Sequence, residues 1–180
     1  MSNELTSLFT RIGIFAVLIA IFFWMYQDPQ RDETGAIVQG GNIDPLELFA
    51  GDCYLEKFEV LEEGDFMDQS TVDAVPCTSK HNNEIFAAFD SLVSIESGQD
   101  VFTQMTEQCY GEVIDYVGFS DSLSEEDIIK FDSDYRLLVT FNFDDRLENK
   151  EEPDPRKPFS CIMNSRENFT DFSIKDYFAL

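Results

Sequence analysis

The chain contains a single histidine, His81, among its 180 residues. A zinc site built from several imidazoles is therefore excluded, and any Ser-His-Asp or Cys-His catalytic arrangement would have to use this one residue. The four cysteines include no close Cys-x-x-Cys pair, so they match no common zinc motif. No segment carries a cofactor signature. The sequence thus predicts no catalytic residue, no metal ligand and no cofactor.

Basic residues are also scarce, with 12 Lys and Arg against 36 Asp and Glu and a net charge of -24. A phosphate backbone or an anionic lipid surface would repel such a chain, which excludes nucleic acid as a partner. A divalent cation stays open as a partner, although residues 132–134 lack the Gly and the distal Glu of an EF-hand loop. The 14 phenylalanines after residue 27 argue against disorder and favour one compact domain.

An unbroken apolar run at residues 12–26 can span a bilayer once residues 8–11 are included. No small-x-small cleavage site follows it, and Trp24 and Tyr26 suit the far membrane interface. We therefore predict a cytoplasmic tail at 1–7 and an uncleaved transmembrane signal anchor at 8–27. The protein would be a single-pass plasma-membrane protein with its C-terminal domain outside the cytoplasm. The polar, glycine-containing residues 28–42 indicate a linker.

Cysteine is present as an even set in the part of the chain predicted to be exported: Cys53, Cys77, Cys109 and Cys161. Such a set indicates two disulfides, for which the sequence alone allows three connectivities.

Alternation of apolar residues predicts a β-hairpin from strands at 53–60 and 71–76, with a turn at 62–65. A well-buried strand is predicted at 84–92, a strand with two distinct faces at 135–144, and a last strand at 158–163. The polar residues 150–155 between the last two strands indicate a loop.

The main helix is predicted over residues 101–117, with Asp100 as its N-cap and Gly118 at its end. Met105 and Cys109 lie four residues apart on the apolar stripe, so Cys109 should face the core. A capping box at residues 124–127 predicts a short second helix through residue 130. Packing of the main helix on the sheet favours Cys109–Cys161, which leaves Cys53–Cys77 to close the hairpin.

The predicted fold class is therefore α+β. A single N-terminal transmembrane helix precedes a small disulfide-bonded antiparallel sheet that is packed by one main helix. The domain spans residues 43–164, and an aromatic C-terminal tail follows at 165–180.

Several short motifs occur in a characteristic order between residues 46 and 164: Gly51-Asp52-Cys53, Val75-Pro76-Cys77, His81 with Glu84, helical Cys109 followed by Tyr116-Val117-Gly118, and Cys161. This order resembles the septum formation domain of membrane-anchored envelope proteins of actinobacteria. The resemblance implies an exported, disulfide-containing α+β domain that is linked to cell division and has no assigned reaction. Residues 154–159 depart from the Trp-x-x-Gly-x-Arg pattern expected before the last cysteine.

His81 and Glu84 allow two interpretations. Glu84 could orient His81 as the general base of an exported hydrolase. Alternatively, His81 is a turn residue that forms hydrogen bonds between Cys77 and the next strand. The aromatic tail likewise either completes the core or offers a docking stripe.

We favour a non-enzymatic, membrane-anchored interaction module of the cell envelope over the hydrolase that would use carboxylates or His81. Its partners would be other envelope or membrane proteins, in septum formation or in a larger membrane complex.

Overall fold

A computed structural model of the protein describes residues 27–55, 71–94, 99–119, 124–142, 153–166, 169–175 and 177–178, together with Ile14 and Val17. The predicted anchor at 8–27 lies outside the described residues except for Ile14 and Val17, which are helical, and Gln27. None of the helices described here combines the length and the apolar character that a membrane crossing requires. The predicted turn at 62–65 also lies outside the described residues.

The described part of the chain has an α+β fold built on a six-stranded sheet, in which all neighbouring strands are antiparallel. The strand order is β3-β5-β4-β6-β8-β7. Its strands are β3 (Gly41–Ile43), β4 (Cys53–Leu55), β5 (Val72–Val75), β6 (Asn83–Phe89), β7 (Tyr135–Phe141) and β8 (Phe159–Ser165); β1 (Gln30–Arg31) and β2 (Ile37–Gln39) form a separate small ladder. The predicted hairpin is confirmed as the β4–β5 pair, in which Cys53 lies opposite Val75.

Helix α1 (Val101–Tyr116) packs on one face of the sheet. The Asp100 side chain caps it by accepting a hydrogen bond from the Thr103 amide, as predicted. Met105 and Cys109, on the side of the helix that faces the sheet, are fully buried. Phe102, on the first turn of the helix, is 39% exposed and packs at the edge against Phe141.

A second helix, α2 (Glu125–Asp134), leads directly into β7. Ser124 and Asp127 form the predicted capping box, each side chain accepting from the backbone N–H of the other residue. The helix runs four residues beyond the predicted end, because Phe131 packs against Tyr135 and the C-terminal aromatic residues.

The opposite face of the sheet is covered by the segment predicted to be a linker and by the turn that follows it. Ile37 and Leu48 are buried there against Tyr54, Val72 and strand-centre residues. Strand β3 extends the sheet by pairing with β5. Short strands such as β2, with one buried residue followed by two exposed ones, leave too little alternation to detect in sequence.

Both disulfides have the predicted pairing. Cys53–Cys77 joins β4 to the end of β5, and Cys109–Cys161 joins α1 to β8. No cysteine is free. The two bridges hold α1 and the β4–β5 pair in place around strand β6.

Candidate functional site

Glu84 is a buried carboxylate in strand β6, with a relative exposure of 2%. It lies opposite Cys53 in the register, on the face of the sheet that carries α1. Three described groups donate hydrogen bonds to it. The hydroxyls of Tyr116 and Ser173 lie 2.6 and 2.5 Å from Oε1, and the Ile174 amide nitrogen lies 2.8 Å from Oε2. All three donors are neutral, so this carboxylate is held without an ion pair to any of them.

The donors come from two separate parts of the chain. Tyr116 is the last residue of α1, and its ring also contacts Phe86 of β6. Ser173 and Ile174 belong to residues 169–178, which we call the C-terminal segment. Ile174 is buried at 2% exposure in the same core as α1, so the segment supplies an apolar anchor beside the two polar contacts.

His81 holds the same segment a few residues earlier. Its backbone N–H and C=O form an isolated antiparallel bridge with Thr170, with both N–O distances at 2.8 Å. Its Nδ1 lies 2.8 Å from the Ser79 carbonyl oxygen, which can only accept, so Nδ1 carries a proton. Nε2 lies 3.1 Å from the Thr170 hydroxyl. Both ring nitrogens of this buried histidine are therefore engaged.

Cys53, His81 and Glu84 bring three potential metal-ligand atoms within 4.8 Å of one another, and all three residues are buried. The sulfur of Cys53 is bonded to Cys77 and offers no thiolate. The imidazole and the carboxylate already have hydrogen-bond partners. With the disulfide intact, this donor set does not fit a metal ion.

Asp52 is a second buried carboxylate, next to Cys53 on the neighbouring strand and thus on the other side of the sheet. Arg31 binds it with two hydrogen bonds of 2.7 and 2.6 Å, and the Phe49 amide donates a third at 2.7 Å. The guanidinium also lies 4.7 Å from the centre of the Phe49 ring. Gly51 has a φ of 94°, a left-handed conformation that favours glycine, and its N–H donates to the Ile85 carbonyl.

A third polar cluster joins three strands at the same end of β6 as Glu84. Asn164 Nδ2 donates to Asn83 Oδ1 at 2.8 Å and to the Asn82 carbonyl, while Arg136 Nε donates to Asn164 Oδ1 at 2.7 Å. These residues cross-link β6, β8 and β7. The arrangement satisfies buried amides and has the character of a structural network.

Tyr135 lies in the core beside the C-terminal segment, and its pKa is raised to about 12. Burial is the largest cause, followed by the neighbouring Tyr177, Asp134 and Glu84. A tyrosine with this pKa is neutral throughout the physiological range, so it contributes no charge here.

Of the residues singled out in the sequence, the structure brings Gly51, His81 and Glu84 around the end of α1. The main-chain oxygen of Pro76 accepts from Ser79 in the turn that precedes His81. Sequence reasoning missed Arg31, Tyr116 as a hydrogen-bond donor, and the pair Ser173 and Ile174. Glu84 and its partners in the C-terminal segment are 89 and 90 residues apart in the chain, a separation that no local pattern reports.

The C-terminal aromatic residues divide between the two alternatives left open by the sequence. Tyr177 and Phe178 pack on Phe131, whereas Phe169 and Phe172 are 59% and 48% exposed. Helix α1 also exposes Tyr110 and Ile114, one turn apart on its outer side. No family model, curated protein or solved structure matches this chain.

Proposed function

We propose that this protein is a membrane-anchored, extracytoplasmic interaction module of the cell envelope that acts by binding rather than by catalysis. The proposal rests on the hydrogen bonds of His81 and Glu84, the two residues most suited to acid–base chemistry. Both side chains form hydrogen bonds with the C-terminal segment, and the His81 backbone pairs with Thr170. A general base needs a free nitrogen or oxygen within reach of a substrate proton.

Exposed apolar side chains support a binding role. Tyr110 and Ile114 of α1, together with Phe169 and Phe172 of the C-terminal segment, present apolar surface on a strongly acidic domain. Exposed apolar side chains that lie next to each other, as Tyr110 and Ile114 do one turn apart, are typical of protein-interaction surfaces. The formal charge of -24 favours partners with basic or neutral surfaces.

The apolar run at 12–26 and the two disulfides support a location outside the cytoplasm, attached to the membrane. The motif order that resembles the septum formation domain supports an envelope role linked to cell division. The proposed location is open to a direct test. Intact-mass measurement should find residues 1–26 retained, and protease added to whole cells should cleave the domain. A mass that lacks the first 25 or so residues, or a protected domain, would contradict this location.

The binding role is tested by His81→Ala in the full-length protein. Loss of the contacts to Ser79 and Thr170 should lower the free energy of unfolding by about 1–3 kcal/mol, while partner binding persists in the folded fraction. Binding is measured by cross-linking in intact cells and recovery from detergent extracts, with Lys80→Ala as the exposed neighbouring control. Loss of function at unchanged stability would instead indicate a His-dependent hydrolase and overturn the proposal.

The interaction surface has its own variant. Tyr110→Glu on the outer side of α1 should reduce cross-linking to a partner without a matching loss of stability. Glu107→Gln, exposed on the same helix, provides the control. Unchanged cross-linking in Tyr110→Glu would exclude this face of α1 as the docking surface.

A further inference from the structure

The C-terminal segment contacts the rest of the domain through its backbone as well as through its side chains. Thr170 pairs with His81 in a two-bond bridge, the Ile174 amide donates to Glu84, and the Phe178 amide donates to the Val117 carbonyl at 2.9 Å. Recognition of an extended segment by main-chain hydrogen bonds, with pockets for single side chains, is a common way for domains to bind peptides.

Three elements contact this segment: the loop carrying His81, strand β6 with Glu84, and the end of α1 with Val117. Each of them also has contacts outside the segment. Cys53–Cys77 ties the turn before His81 to β4, Cys109–Cys161 ties α1 to β8, and strand β6 pairs with β4 and β8. The segment begins at residue 169, three positions after Arg166 in the sequence.

We call the surface formed by the His81 loop, strand β6 and the end of α1 the groove. Glu84 determines which chemical groups a ligand in this groove must supply. Two of its three hydrogen bonds come from the segment, one from a hydroxyl and one from a backbone amide. A buried carboxylate that loses its donors is costly to leave unpaired. The groove therefore favours a chain with a small hydroxyl residue, followed at once by a branched aliphatic residue that fills the site of Ile174.

We propose that this groove is a peptide-binding site whose resident ligand is the chain's own C-terminal segment, and that a segment of the same chemistry from another polypeptide can replace it. The site recognises Thr170 through a backbone bridge to His81, and Ser173 and Ile174 through hydrogen bonds to Glu84. This inference rests on the proposed interaction role for its biological meaning and gives that role a specific ligand class.

Exchange of the segment in the full-length protein tests the proposal. A specific protease site is placed between Arg166 and Phe169, and the purified, disulfide-intact protein is cut there. A fluorescent peptide of residues 167–180 is then added in excess, and its binding is followed by anisotropy and native mass spectrometry. The cut protein should bind the peptide and release its own segment, while the uncut protein should not, because its groove is filled.

Two variants establish that binding uses this groove. A peptide with Ile174→Asp should bind about tenfold weaker or worse, because it places a carboxylate in an apolar site beside Glu84. Cut protein with Glu84→Gln should bind the unaltered peptide several-fold weaker, and Glu107→Gln should bind it normally.

The following outcomes overturn the proposal or separate it from the proposed function. Unfolding of the cut protein, or retention of its own segment against a large excess of peptide, would make the segment a permanent part of the fold. Equal binding of the Ile174→Asp peptide would show that the groove has no specificity. Exchange in vitro with no cross-linked partner in cells would leave the groove established and remove the proposed function.

Discussion

Two buried carboxylates on neighbouring strands hold the two ends of the domain in different ways. Asp52 binds the N-terminal segment through Arg31, a bidentate ion pair with N–O distances of 2.7 and 2.6 Å. Glu84 binds the C-terminal segment through neutral hydroxyl and amide donors. They differ in exposure by little, at 4% and 2%. The contrast therefore lies in the partners.

The difference bears on how readily each end can leave. An ion pair leaves two uncompensated charges when it breaks, and one of them stays in the sheet. When the C-terminal segment leaves, Glu84 loses only neutral donors from it, and another chain with a hydroxyl and a backbone N–H can replace them. The N-terminal attachment is thus specific to an arginine, whereas the C-terminal attachment suits exchangeable peptides.

The largest expected effect comes from breaking the ion pair. Arg31→Ala removes both guanidinium bonds and leaves the Asp52 carboxylate buried with the Phe49 amide. We expect a loss of about 2–4 kcal/mol, below the full cost of a buried unpaired charge because water can enter where Arg31 was 21% exposed. Chemical denaturation measures it. Arg156→Ala is the matched control, since Arg156 pairs with Asp154 but is 57% exposed. Because the Asp52 and Asp154 carboxylates are almost equally buried, at 4% and 5%, the two variants differ mainly in the exposure of the arginine. Equal losses would mean that the partial burial of Arg31 has no energetic weight.

Neutralising Glu84 should cost less. Glu84→Gln preserves shape and one acceptor oxygen, but it converts charge-assisted hydrogen bonds into neutral ones and turns an acceptor into a donor. We expect a loss of about 1–2 kcal/mol, accompanied by faster hydrogen exchange at the Ile174 amide. Glu107→Gln on the surface of α1 should change stability by less than about 0.5 kcal/mol. A Glu84→Gln protein as stable as the control, with Ile174 still protected, would show that the charge of Glu84 does not hold the segment.

The sequence predicted most of the sheet and both disulfides because these depend on local patterns. Alternation identified the β4–β5 pair, and the stripe of Met105 and Cys109 placed a cysteine against the last strand. The capped start of α1 at Asp100 followed from one residue type at one position.

The attachments at Asp52 and Glu84 could not be predicted in the same way. Each is formed by residues distant in the chain, and Arg31 stood in a polar stretch with no periodicity. His81 and Glu84 were recognised as a pair, yet their common partner was invisible because Thr170 and Ser173 belong to an aromatic tail with two possible fates. The resemblance to the septum formation domain and the location at the membrane stay predictions.

Glu84 is one of the groups that raise the pKa of Tyr135, so this tyrosine can distinguish the effect of Glu84 from that of Asp52. Its raised pKa, about 12 against an ordinary 10.0, means that the folded protein favours the neutral phenol. The corresponding stability is fully present below pH 10 and is lost as the pH rises toward 12. Ultraviolet titration against Tyr135→Phe isolates this group. Because burial is the main cause and Glu84 the smallest, Glu84→Gln should lower the Tyr135 pKa slightly and Asp52→Asn should leave it unchanged. A larger shift from Asp52→Asn would mean that the two carboxylates do not act on separate sides of the sheet.

Asp100 provides the exposed reference for both buried carboxylates and should give the smallest effect. Hydrogen bonds from the Thr103 side chain and then its backbone amide hold the pKa of Asp100 below its ordinary value of 3.8. A carboxylate with a lowered folded-state pKa contributes stability above its unfolded pKa, and that contribution disappears as the pH falls through the folded value. Asp100→Asn keeps a capping side chain that can accept from the helix N-terminus, so the melting temperature at pH 7 should change by a few degrees at most. In acid below the lowered pKa of Asp100, the variant and the unaltered protein should converge, because the cap carboxylate is then protonated in the latter. Thermal unfolding at both pH values measures this, with Asp115→Asn, exposed near the end of the same helix, as the control. A gap that widens in acid would show that Asp100 does not stabilise the helix through its charge, and it would remove the exposed end of the comparison with Asp52 and Glu84.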